Sequence, residues 1–87
     1  MSFAGYILQS LANGSYYVGQ TKEIESRIVK HNRGEVLSTR PHKPWKLVYT
    51  AKFGARSEAI RWEREVKSHK SRSYIEKLIN SERGAAR

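Results

Sequence analysis

Residues 3–11 and 16–20 are two runs of aromatic and branched residues on either side of Asn13-Gly14, the strongest short signal for a turn between antiparallel strands. The pattern predicts a β-hairpin. With a two-residue loop, Ala12 would face Ser15 and Ser10 would face Tyr17, which puts Tyr6 and Tyr17 on one side of the sheet. From Thr21 the period becomes helical. Ile24 and Ile28 recur one turn apart, Glu23 and Glu25 sit where the helix dipole prefers acids, Thr21 supplies a cap and Gly34 a stop. At about 100° per residue, Arg27 and His31 share the edge of the packed face. Residues 33–45 carry neither period, contain Pro41 and Pro44, and predict a long loop. Leu47, Tyr49, Ala51 and Phe53 then alternate onto one face of a third strand, residues 46–53. Ser57 is expected to cap a second helix reaching residue 70, with Ala59, Trp62 and Val66 as its stripe. A short helix over residues 72–80 turns Ile75, Leu78 and Ile79 inward. The order β-β-α-β-α-α describes a single α+β domain over residues 1–80, with residues 81–87 expected as a flexible tail.

Charge adds a partner to this outline. Seventeen Lys and Arg stand against eight acids, a net charge of +9 on an 87-residue chain, which favours a polyanion and makes nucleic acid the first partner to consider. Arg33, Arg40, His42 and Lys43 make the long loop basic, with Trp45 at its end, so it either tracks phosphates or is a basic connector. All eight acids are glutamates, and the absence of aspartate argues against metal-pair sites built from Asp clusters. The absence of cysteine excludes disulfides, a thiolate zinc module and a cysteine nucleophile, and fits a reducing, cytoplasmic setting. No apolar run reaches membrane-spanning length, so no membrane partner is expected.

The least expected residue is Glu63. It falls about 40° from the Ala59 direction, inside the apolar face of its helix, where a lone carboxylate costs several kcal/mol unless a cation or donors meet it. It is either an i to i+4 partner of Lys67 or a ligand for a divalent metal, and the second reading is favoured by what surrounds it. Taken singly, the tyrosines are ordinary strand residues, His31 a half-buried helix-end histidine and Arg27 a solvated arginine.

Together these residues form a pattern that resembles the GIY-YIG nuclease family. Tyr6-Ile7-Leu8, Tyr17-Val18-Gly19-Gln20-Thr21, Arg27-Ile28-Val29-Lys30-His31-Asn32, Thr39-Arg40, Pro44-Trp45-Lys46-Leu47-Val48-Tyr49 and Ala59 through Lys67 fall in the family's order over nearly the whole chain. The likeness is greatest to small stand-alone bacterial members whose domain is similar to that of the repair excinuclease. Two motifs depart from the pattern: Ala4-Gly5-Tyr6 replaces Gly-Ile-Tyr, and Val18 replaces Ile. Asn80 matches the family's late asparagine only by position.

The resemblance implies a three-stranded antiparallel sheet flanked by three helices, and endonucleolytic hydrolysis of DNA, branched or damaged, in repair or processing. It implies one divalent ion on Glu63, Mg2+ with Mn2+ as a substitute. Tyr6, Tyr17, Arg27, His31 and Glu63 are the expected catalytic residues, with Tyr6 preferred as base and its pKa lowered by Arg27 and the metal. Arg33, Arg40, Lys43, Lys67 and Lys70 are expected to hold the nucleic acid, and a protein partner to supply target selection. The competing readings are a non-catalytic nucleic-acid-binding module that uses Trp45 and the basic loop, and a small adaptor with a basic docking surface.

Overall fold

Strands β1 (Phe3–Ser10), β2 (Tyr16–Thr21) and β3 (Trp45–Phe53) form one antiparallel sheet in the order β2-β1-β3, covered by helices α1 (Ile24–Asn32), α2 (Arg56–Ser68) and α3 (Arg72–Ala85), in a computed structural model that describes residues 2–85. The central strand is sandwiched on both faces, which explains its unbroken Tyr6-Ile7-Leu8 run, buried to the last few per cent. Tyr6 and Leu8 join Trp45 on one face, with Ile24 and Ile28 of α1 packed over them. Ile7 joins Val18 and Val66 on the other, under Trp62 of α2 and Tyr74, Ile75 and Leu78 of α3.

The hairpin register differs from the predicted one by two residues: Leu8 opposes Tyr17 and Tyr6 opposes Gly19. The turn is longer because side chains compete for its backbone. Ser10 Oγ accepts the Ala12 and Asn13 N–H groups, Asn13 Oδ1 accepts that of Ser15, and Gly14 takes a left-handed φ of +77°. A shift of two preserves the face, since strand side chains alternate with period two, so Tyr6 and Tyr17 still share a side.

Helix α1 ends as expected. Gly34, at φ +77°, donates its N–H to the His31 carbonyl while Glu35 donates to Lys30, a Schellman closure. At its start the cap is corrected: Glu23, not the expected Thr21, occupies that position, and Thr21 Oγ1 accepts the Glu23 N–H. For α2 the expected cap is corrected. Ala55 is at the N-cap and Ser57 lies within the first turn, while Glu58 Oε1 reaches back to the Gly54 N–H at 3.2 Å. The helix stops at Ser68, and Lys70 takes a positive φ of 46° before Ser71 Oγ caps α3 by accepting the Tyr74 N–H. Helix α3 continues past residue 80 to Ala85; residues 86 and 87 of the expected tail lie outside the described residues.

A β-bulge corrects the third strand. Leu8 pairs with Leu47 but Ile7 pairs with Tyr49, so Val48 is the extra residue and the alternation is broken. Leu47 packs with Tyr6 and Leu8, whereas Tyr49 faces the Ile7 side and stacks on Trp62, ring centroids 6.0 Å apart and planes 6° from parallel. Trp62 also explains why glycine stands at position 5: a Cβ there would lie 2.5 Å from the indole ring.

The long loop is more ordered than its sequence suggests. It contains a 3-10 turn, Arg40–His42, and both Thr39 and Trp45 are buried. Trp45 exchanges two hydrogen bonds with the Asn32 side-chain amide, which accepts its N–H at 2.6 Å and donates to its carbonyl at 3.2 Å. Its indole N–H donates to the Thr39 carbonyl. Ser10 Oγ donates to the His42 carbonyl and anchors the loop to the hairpin.

Candidate active site

On the α1 side of the sheet, β1 and β2 present two phenols to the helix. Tyr6 and Tyr17 have ring centroids 6.3 Å apart, and the His31 ring lies 5.9 Å from the first and 5.0 Å from the second. The Tyr6 hydroxyl is 3.0 Å from His31 Nε2, and His31 Nδ1 is 2.8 Å from Thr39 Oγ1. Thr39 Oγ1 also donates to the Val36 carbonyl at 3.3 Å. With the threonine proton so committed, Nδ1–H donates to Thr39 and Nε2 is left as acceptor for the Tyr6 O–H. Tyr6, His31 and Thr39 are buried, so the chain Tyr6–His31–Thr39–Val36 is a satisfied, directional network.

Gly19 permits this arrangement. A Cβ on Gly19 would lie 2.7 Å from the Tyr6 hydroxyl and 3.1 Å from the Tyr17 ring, so the phenols rest directly on backbone.

The electrostatics place the proton. Burial and the Arg27 charge lower the His31 pKa to about 4, so the imidazole is neutral at physiological pH. Burial raises the Tyr6 pKa above its ordinary 10; Arg27 opposes this, while Tyr17 and Glu63 add to it. Arg27 alone does not leave Tyr6 a depressed pKa: desolvation outweighs the guanidinium, and Tyr6 rests as a phenol that donates to a neutral imidazole.

A pH dependence follows from His31. Between about pH 6.5 and 4 the unfolded chain binds a proton at this residue that the folded chain refuses. Stability from this group is therefore complete above pH 6.5 and falls as pH drops through 4, by up to about 3 kcal/mol. Urea midpoints measured across that range should decline, and a His31→Gln variant should show a shallower acid limb; equal slopes in the two proteins would reject this assignment.

Arg27 Nε is one of two buried side-chain polar atoms without a partner among the described residues, the other being Gln20 Oε1. An unpaired buried guanidinium N–H is costly, and its retention beside the phenols marks a place where an anion would be welcome. Glu63 is less buried than its helical phase implied: its side chain is 23% exposed and Oε2 accepts a 2.7 Å hydrogen bond from Lys67, which lies 6.0 Å from the Tyr17 ring centre. Of the two sequence readings of Glu63, the structure shows the i to i+4 pair with Lys67.

No group of three or more His, Cys, Asp or Glu that could hold a metal ion occurs among the described residues. A protein-caged ion does not suit this donor set. A single hard cation that keeps most of its waters would fit it better, and the half-open Glu63 carboxylate is the side chain that would hold it.

The cations fall on two flanks. Arg33, Arg40 and Lys43 are exposed around Gly34, just beyond α1; Arg40 Nε donates to the Gly34 carbonyl, and Arg33 lies 3.8 Å from Glu35. Lys67 and Lys70 border a cleft of about 390 Å³ with Tyr16, Tyr17 and Arg72. Asn80 is set apart: it is exposed on α3, by a groove lined with Gln9, Tyr16 and Val48, and α3 packs on the Ile7 face rather than the Tyr6 face. Thr39 and Gly19 are the site residues to which sequence reasoning assigned no role. Both stand in motifs that carry the family resemblance, but neither burial of a loop threonine nor contact beneath a phenol has a periodic signature.

A sandwiched three-stranded sheet that sets two strand tyrosines against a helix arginine and histidine, with one glutamate at the rim, defines a class. The chain belongs to the GIY-YIG catalytic domain family, whose model matches residues 3–78, and membership implies a nuclease-like function. It is 42% identical over 80 residues to the UPF0213 protein BH0048 of Halalkalibacterium halodurans, covering 91% of this chain and 83% of that one. A UPF0213 protein of Natronomonas pharaonis is 39% identical over 91% of this chain and 92% of its own length. The solution NMR structure of the UPF0213 protein BH0048 from Bacillus halodurans superimposes with a TM-score of 0.58, over 92% of this chain and 84% of that one. No helix among the described residues is long and apolar enough to cross a membrane.

Proposed function

We propose that this protein is a metal-dependent endonuclease that hydrolyses phosphodiester bonds in DNA, with branched or damaged DNA in repair or processing as its substrates. The observation that carries the reading is the buried relay from Tyr6 through His31 to Thr39, set beside an Arg27 N–H that has no partner.

In this reading the Tyr6 oxygen takes a proton from the attacking water as its own proton passes to His31 Nε2. Tyr17, half-buried and 5.0 Å from the imidazole by ring centres, positions the water. Arg27 binds the scissile phosphate through its unpaired N–H and steadies the charge that builds there. Phosphate binding also makes the relay work. Arg27 is the second cause of the low His31 pKa, so neutralising it with an anion raises the imidazole's basicity when substrate is present. Because Tyr6 is 1% exposed, access to its hydroxyl comes with substrate binding. Glu63 would hold one Mg2+ or Mn2+, which when bound supplies positive charge to the phosphoryl oxygens and acidity to its waters. Arg33, Arg40, Lys43, Lys67 and Lys70 contribute backbone affinity without sequence choice, and target selection is left to a protein partner.

The buried Trp45 weighs against the module reading, since an indole packed in the core and hydrogen-bonded to Thr39 is no stacking platform for bases. The test is nicking of flap, branched and plain duplex DNA, with matched RNA, in Mg2+, in Mn2+ and in EDTA. Cutting of at least one DNA that stops in EDTA is expected; binding without cutting in every metal would overturn the assignment.

A further inference from the structure

A polar cavity of about 330 Å³ opens between the end of β2, the start of α1 and the first residue of α2. Lys22, Arg27, Lys30 and Arg56 line it, against a single carboxylate, Glu23. Gln20 lines it too, so the two residues that carry the unpartnered buried polar atoms of the described residues, Gln20 and Arg27, line the same space. Four cations that converge on one cavity repel each other unless an anion joins them. The Gln20 amide offers either polarity to a guest by a half-turn. The Arg56 guanidinium is steadied 5.0 Å above the Phe3 ring.

We propose that this cavity is a second phosphate-binding site, separate from the scissile position, with Arg27 standing between the two. For its nucleic-acid source the proposal rests on the nuclease reading of the adjoining tyrosines. A phosphate seated on Lys22, Lys30 and Arg56 fixes the strand relative to Tyr6 and so sets where the cut falls. The phosphate comes from a neighbouring backbone phosphodiester or from a strand end; the two share the same chemistry.

The test uses the full chain without metal. Two-dimensional amide NMR is followed during titration with inorganic phosphate against chloride of matched ionic strength. Saturable shifts centred on residues 20–30 and Arg56 are expected with phosphate and not with chloride. Lys22→Glu/Arg56→Glu should weaken phosphate binding about tenfold and lower the salt slope for a short DNA duplex by about one for each phosphate that is no longer neutralised. Both positions are exposed and lie just before or at a helix start, where an acid is favoured, which offsets the lost Arg56–Phe3 contact, so the variant should stay folded. Dependence of the shifts on a 5′-phosphate on the duplex assigns the site to a strand end; equal shifts without it assign the site to the backbone. Shifts that never saturate, or unchanged affinity in the double variant, overturn the proposal. Cleavage without phosphate saturation removes this site and leaves the nuclease reading, whereas saturation with no cleavage of any substrate does the reverse.

Discussion

Tyr6→Phe should lose cleavage by about a hundred- to ten-thousandfold, the range of a positioned proton-transfer group, while DNA affinity stays within about twofold of wild type. The phenol is buried, donates to His31 Nε2 and lies over Gly19, so removing its oxygen leaves the ring packed and takes away the relay's first atom. A stability cost accompanies the change, because His31 Nε2 loses its donor in a dry site, and about 1–3 kcal/mol is the usual penalty. Chemical denaturation and single-turnover kinetics on the same preparation separate the two effects. Wild-type cleavage by a folded Tyr6→Phe protein would make the tyrosine ordinary strand filling.

Glu63→Gln should have the opposite profile, a large kinetic loss with almost no structural cost. The Lys67 pair that it breaks is an i to i+4 bridge between partly exposed side chains, worth a few tenths of a kcal/mol at most. A metal's stabilisation of phosphoryl charge is worth several kcal/mol, so losing its one protein ligand should slow cleavage roughly a thousandfold. Raising Mn2+ should recover part of the rate if weakened metal binding is the cause. If Glu63 serves only Lys67, cleavage in Mg2+ will be unchanged, and the carboxylate leaves the site altogether.

These expectations depend on features that were legible to different degrees before the fold was known. The hairpin, helices α1 and α2 and the Gly34 stop follow from local chemistry: period, turn residues and the left-handed freedom of one glycine. The shared face of Tyr6 and Tyr17 was readable even though the register was not, because an error of two residues leaves strand parity intact. The third strand shows the contrary case. A single bulged residue, Val48, divides Leu47 from Tyr49, and one-residue irregularities carry no periodic signature.

By itself, then, the sequence determined the α+β order and the cationic character and singled out candidate side chains, since each follows from side-chain type and from spacing within one element. Tertiary structure decided what depends on distance between elements. It brought Thr39 from a loop to His31, buried Trp45 as a structural brace, and set Glu63 on Lys67 at the rim of the site. It also decided the balance between Arg27 and burial at Tyr6, because a guanidinium nearby and the loss of water act in opposite directions, and only burial tells which prevails.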